Sequence, residues 1–208
     1  MNNLQNNWVK ELGSAPFPLR TLLAVIGTYS QPIFKVHQLV KSGVLIRLKR
    51  GWFCVDPRIA EKPISSQAVA NEIYEAPSYI SLEYALSYYG LVPERALGIT
   101  SVVTGRSRRF VTPVGRFTYR TIPERLFGFG VDTRDGYLIA TPEKALCDYL
   151  FTRRNLRISS PVALREYLEE DVRFDFDTFG QPDRTVFAEY ASAGYKRPLF
   201  SALSRMFV

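Results

Sequence analysis

The chain has 208 residues, 46% hydrophobic and 13% aromatic, with 27 Lys and Arg against 20 Asp and Glu for a formal charge of +7. That is enough apolar material for one large or two small cores, and no run approaches the ~18 apolar residues of a membrane span. One histidine, His37, and two distant cysteines, Cys54 and Cys147, argue against a Cys/His zinc site or a Ser-His-Asp hydrolase.

The cysteines each sit in an apolar pattern, which favours buried reduced thiols. The opening MNNLQNNWVKELG lacks the cationic start and apolar centre of a secretion signal, so a cytoplasmic protein is expected. Charge is unevenly distributed. Residues 1–62 hold nine Lys and Arg against three acids, a net of +6, whereas residues 63–208 hold 18 bases and 17 acids, a net of +1. A polyanionic partner for the N-terminal segment follows, because cations that neutralise phosphates release counterions.

Taken in chain order, Asn3 to Leu12 predicts a first helix, with Leu4, Trp8 and Leu12 on one face and Gly13 as its stop. After a loop with Pro16 and Pro18, Leu19 to Ile26 predicts a second. A third begins after Ser30, a candidate cap, carries Pro32 in its first turn and stops at Gly43. Ile33, Val36, Leu39 and Val40 are its expected buried face. Phe34, Lys35, His37, Gln38 and Lys41 point elsewhere. The period then changes to two, and Leu45 to Val55 predicts a hairpin with Lys49-Arg50-Gly51 at its tip. Three helices followed by a basic hairpin is the order of a winged helix-turn-helix. Its third helix fits the major groove, and the hairpin reaches the backbone or minor groove. The expected DNA-binding residues are Lys35, His37, Gln38, Lys41, Arg47, Lys49 and Arg50; for His37, an ordinary surface role stands equally open.

A domain boundary is expected near residue 62, where the basic excess stops and Pro63 follows, giving domains 1–62 and 63–208. A helix is expected over Ser66 to Tyr74. Ser81 caps another through Gly90, and strands are expected at 99–104, 110–112, 116–120 and 137–140. Thr141 caps a helix with Pro142 in its first turn and Ala145, Leu146, Tyr149 and Leu150 inside. The remainder reads as helices over 160–170, 183–193 and 197–207. The fold class is therefore α+β: a winged helix-turn-helix, then a larger domain with a mainly antiparallel sheet packed by helices and a helical C-terminus.

Catalytic motifs are weak. Asp175 and Asp177 resemble metal-binding carboxylates of a nucleotidyltransferase, but no Gly-Ser turn precedes them, so a solvated loop is the better reading. Gly128-Phe129-Gly130 is too short for a phosphate-binding loop. Glu143 is explained by the helix dipole, and Asp148 reads as a structural hydrogen-bond acceptor. No catalytic residue, metal or cofactor is expected. Seven arginines between Arg95 and Arg125 stand against Glu94 and Glu124, while eight acids between Arg165 and Glu189 oppose three arginines. Arg106, Arg108, Arg109, Arg116 and Arg120 are candidates for a secondary DNA or partner surface; a dipolar solvated face is the plain alternative.

KSGVLIRLKRGWFCV, YISLEYALSYYGLVPE, ITSVVTGRSRRFVTPVGRFTYRTIP and GYLIATPEKALCDYLF occur in that order. Together, over roughly residues 4–152, they resemble the AbiEi family of antitoxins, the antitoxin halves of type IV toxin-antitoxin and abortive-infection pairs. The resemblance implies a winged helix that binds inverted repeats in the promoter of its own operon and represses it. It also implies a C-terminal domain that counteracts a nucleotidyltransferase-like toxin without a stable complex. The alternative is a transcriptional regulator with a ligand- or protein-sensing second domain and no antitoxin role. A metal-dependent nuclease is disfavoured, being motivated only by acidic residues beside a DNA-binding segment.

Overall fold

The computed structural model describes residues 7–207, so residues 3–6 of the expected first helix, including Leu4, lie outside them. Two compact units form, Met1–Glu75 with Phe110–Arg116, and Ala76–Arg109 with Phe117–Val208. No helix among the described residues is long and apolar enough to cross a membrane.

In the first unit, α1 (Asn7–Leu12), β1 (Phe17–Pro18), α2 (Leu19–Ile26), α3 (Pro32–Lys41), β2 (Leu45–Lys49) and β3 (Trp52–Val55) follow in order. Val9, Leu22, Ile26, Val36, Leu39, Leu45 and Phe53 make one core. The three strands pair antiparallel as β1-β3-β2, with the four residues of β3 all buried at the centre. Phe17–Pro18, expected as loop, supplies the third strand because its backbone lies against Trp52 and Phe53. Strict alternation cannot bury both Leu45 and Leu48, three residues apart. A register shift between Arg47 and Lys49 resolves the conflict and turns both leucines inward.

After α4 (Pro57–Ala60) the first unit continues past residue 62 through α5 (Ser66–Glu72), and the units part after Glu75. Val69 and Ala70 are fully buried, the Ser65 hydroxyl caps α5, and the Trp52 indole donates to the Glu75 carboxylate. Pro63 thus lies in a loop inside the unit, with a half-buried helix beyond it.

The second unit contains β4 (Ser78–Ile80), α6 (Leu82–Tyr88), β5 (Ile99–Val103), β6 (Arg108–Thr112), β7 (Gly115–Thr121), β8 (Val131–Arg134) and β9 (Tyr137–Ala140). The sheet order is β6-β7-β5-β4-β9-β8, with the tip of the β6–β7 hairpin counted in the first unit. The expected antiparallel pairings are joined by two parallel ones, so the sheet is mixed. β4 pairs parallel with β9, and β5 with β7, while β4/β5 and β8/β9 are antiparallel. Helix α6 joins the antiparallel strands β4 and β5 and packs on β5, whereas the parallel partners are connected through further strands, β5 to β7 by way of β6.

Helix α7 (Pro142–Thr152) is buried continuously from Lys144 to Leu150 and packs against β9, α6 and α10 (Arg184–Ser192). Thr141 caps it as expected, accepting from the Lys144 amide at 3.3 Å. The C-terminal region is helical through α8 (Pro161–Glu166), α9 (Phe176–Phe179), α10 and α11 (Arg197–Met206), with a π turn at Tyr167–Asp171. The expected Ser81 cap is corrected. Its hydroxyl donates to Asp148 at 2.7 Å, and Thr100 Oγ1 instead accepts from the Tyr84 amide at 3.0 Å. Leu82 enters the helix at φ +61°, a conformation that buried packing must hold.

Candidate nucleic-acid interface

Helix α3 is held by its inner face, with Val36 and Leu39 buried and Val40 half-buried. Ile33, expected in that stripe, is instead 51% exposed, because the core lies under the middle and end of the helix. The outward side carries Ile33, Phe34, His37, Gln38 and Lys41, all exposed. Pro32 opens the helix after Gln31 rather than Ser30 as cap, and Gly43 at φ +73° ends it. The Gly43 amide donates to Val40 O at 3.1 Å, and the Val44 amide to Leu39 O at 2.9 Å. That turn sends the chain directly into β2.

The hairpin cations divide into two kinds. Arg47 and Arg50 are exposed, with the Arg47 guanidinium 5.6 Å from the Phe53 ring centroid. Lys49 keeps only 18% of its side chain exposed. Its Nζ lies 3.1 Å from Glu75 Oε1 and 4.9 Å from the Phe110 ring centroid. A cation so engaged is a poorer phosphate contact than its neighbours, and neither Glu75 nor Phe110 is near it in sequence. Lys35 is half-buried, its ammonium 5.0 Å from the Tyr29 ring. The Leu19 amide donates to Gly51 O at 2.7 Å, fixing the hairpin tip to the start of α2. Asp56 caps α4 and receives two hydrogen bonds at 2.8 Å from the Arg58 guanidinium, holding its carboxyl down at about 2. Burial pushes the Cys54 thiol up to about 11 and Cys147 well above its usual value; both are free and buried, the protonated state of unreactive thiols.

Arg106, Arg108, Arg109, Arg116 and Arg120 are all exposed. On β7, Arg116 and Arg120 alternate with buried Phe117 and Tyr119, so these two arginines share the opposite strand face. In the acidic region, Arg165 pairs with Glu169 at 2.9 Å and Arg173 with Glu94 at 3.1 Å. Asp175 caps α9, accepting from the Thr178 amide and hydroxyl, each at 2.9 Å, which lowers its carboxyl below the usual range. Glu143 Oε1 accepts from the Asp183 amide at 3.2 Å. Among the described residues, no group of three His, Cys, Asp or Glu has the arrangement to hold a metal ion.

The second unit also holds a buried charge network that periodicity did not reveal. Lys144 and Asp148 are fully buried one helical turn apart, with Nζ to Oδ1 at 2.9 Å. The ammonium also donates to Leu126 O at 2.7 Å and the Tyr190 hydroxyl at 2.5 Å, using its three donors. Asp148 accepts further from Tyr190 on Oδ1, and on Oδ2 from Tyr79 at 3.1 Å and Ser81 at 2.7 Å. Rings of Tyr190, Phe129 and Tyr79 surround the ammonium at 4.6, 4.7 and 5.5 Å. Burial, then the Asp148 charge, pushes both phenols upward, so they remain neutral donors. The only sequence signal was a Lys and an Asp spaced i, i+4 within an otherwise apolar helix. Gly128-Phe129-Gly130 serves this network: Gly130, at φ +61°, passes so close to Lys144 that an added Cβ would meet its Cβ at 3.0 Å.

No known family model matches the chain, and no curated protein matches it in sequence. Among solved structures the chain is similar to the RV2827C protein from Mycobacterium tuberculosis, with a TM-score of 0.51 and 12% identity over 99% of this chain and 80% of that one. At this identity the likeness is one of fold.

Proposed function

We propose that the chain is a DNA-binding antitoxin and autoregulator, whose first unit is a winged helix-turn-helix that represses its own operon. The observation carrying the DNA-binding part is the outward side of α3, where His37, Gln38 and Lys41 stand exposed while Val36 and Leu39 anchor the helix from behind. Arg47 and Arg50 extend the donor set along the hairpin. In this reading α3 enters the major groove, and the hairpin arginines hold phosphates. Lys49 plays a smaller part because Glu75 and Phe110 engage it. The antitoxin part rests on the resemblance to AbiEi proteins: the second unit counteracts a nucleotidyltransferase-like toxin, with no stable complex between them.

A gel-shift titration on the DNA upstream of the reading frame tests the first part. Binding there should be sequence-selective, and its logarithm should fall linearly with the logarithm of salt, by about 0.9 per phosphate neutralised. Equal affinity for unrelated DNA of the same length would sink the repressor role. Co-expression with the neighbouring nucleotidyltransferase-like gene tests the second part, and growth arrest that the chain does not relieve refutes it.

A further inference from the structure

We propose that Ile33 and Phe34 form an apolar edge that reads thymine C5-methyl groups in the major groove, an inference that rests on the DNA-binding role of α3. Ile33 is 51% exposed and Phe34 59% exposed, on the same outward side as His37, Gln38 and Lys41. Phe34, His37, Gln38 and Lys41 follow the i, i+3, i+4, i+7 spacing of one helical stripe. This stripe therefore begins apolar and ends in donors and a cation.

The occupant is selected by charge and chemistry. Residues 1–62 carry nine Lys and Arg against three acids, so a second copy placed against this face would meet like charge, whereas a polyanion meets opposite charge. On the major-groove edges of DNA the thymine methyl is the apolar group, and aliphatic and aromatic side chains recognise it by contact. Gln38 lies one turn beyond Phe34, about 6 Å along the axis. A glutamine pairs with adenine N6 and N7. The preferred site accordingly carries a thymine about two base steps from an adenine, given ~3.4 Å per step.

The test begins by enriching a bound sequence from a random duplex pool with the full-length wild-type protein. Synthetic duplexes of that sequence, with deoxyuridine replacing thymine at single positions, then lose only the methyl group and keep every hydrogen-bonding atom. One or two positions should weaken wild-type binding about fourfold each, the effect of one buried methyl. Phe34→Ala and Ile33→Ala should bind more weakly than wild type, and at least one should bind thymine and deoxyuridine duplexes equally. Circular dichroism verifies folding, and the wild-type comparison stands without any variant. Equal wild-type affinity for all deoxyuridine duplexes, with selective binding retained, overturns the methyl-reading role and leaves the repressor reading intact. Failure to enrich any sequence overturns both. A concentration-dependent dimer that Phe34→Ala dissociates, with DNA binding unchanged, assigns the edge to a second copy and overturns the inference.

Discussion

Replacing Lys144 with Met tests how the second unit tolerates charge at its centre. The substitution keeps side-chain length but removes the ammonium, leaving Asp148 fully buried with only the hydroxyls of Tyr79, Ser81 and Tyr190 as donors. Breaking a buried pair on one side costs about 3–5 kcal/mol. Because those hydroxyls still solvate the carboxylate, Lys144→Met should cost about 3 kcal/mol, at the low end of that range. In a chain of this size that lowers Tm by about 6–12 °C. Asp148→Asn should cost about 4 kcal/mol, since it strands the ammonium and turns amide hydrogens towards hydroxyl donors. The double variant Lys144→Met/Asp148→Asn removes both charges, and its cost should fall about 2–3 kcal/mol short of the sum of the singles. Urea unfolding followed by far-UV circular dichroism measures all three. A cost below about 1 kcal/mol for Lys144→Met, or strictly additive losses, would falsify the reasoning.

Three further outcomes are expected. Arg47→Ala with Arg50→Ala should weaken binding to all DNA sequences and reduce the salt slope by about two; Lys49→Ala alone should change it less, and an unaltered slope in the double variant removes the hairpin from the interface. Gly130→Ala should destabilise by about 2 kcal/mol through left-handed strain and the crowded Lys144 Cβ, measured by thermal unfolding; an unchanged Tm refutes that packing. Asp56→Asn bears on acid stability. The folded carboxyl lies at about 2, below its unfolded value of 3.8, so its contribution is full above pH 4 and fades as pH falls towards 2. The variant should therefore lose stability at neutral pH and show a shallower loss over that window; an identical acid profile counts against the Arg58 contact.

What the sequence made legible was local. Gly43 stopping α3, Thr141 capping α7, and the helices after residue 160 all follow from steric or hydrogen-bonding preferences expressed within one turn. The core-facing Val36 and Leu39 were readable from spacing, whereas Ile33, at an equally regular position, escaped burial because, among the described residues, the core lies under the middle and end of the helix. Partners far apart in sequence were not readable. Lys49 looked like a free hairpin cation until Glu75 and Phe110 came beside it. Asp148 read correctly as an acceptor, but its hydroxyl donors come from 42 to 69 residues away. β4 has three residues and β8 is polar and half-exposed, so neither carries an alternating pattern long enough to announce a strand.

The parallel pairing of β4 with β9 has a consequence for how the chain is made. Ile80 meets Ile139, so the central strand of the second unit waits for nearly sixty more residues before its neighbour exists. Contacts of such separation close slowly, because loop entropy is spent before any pairing compensates it. During synthesis, β4 and β5 leave the ribosome as an antiparallel pair joined through α6, with the β5 edge uncovered until β7 exists and the β4 edge until β9 does, the state in which a strand pairs with the wrong chain. The first helices and the β2–β3 hairpin are by then complete, apart from the short segment 110–116. On a nascent chain, the proposed DNA-contacting surface is thus ready well before the second unit is, and aggregation during expression should arise from fragments ending between residues 103 and 137.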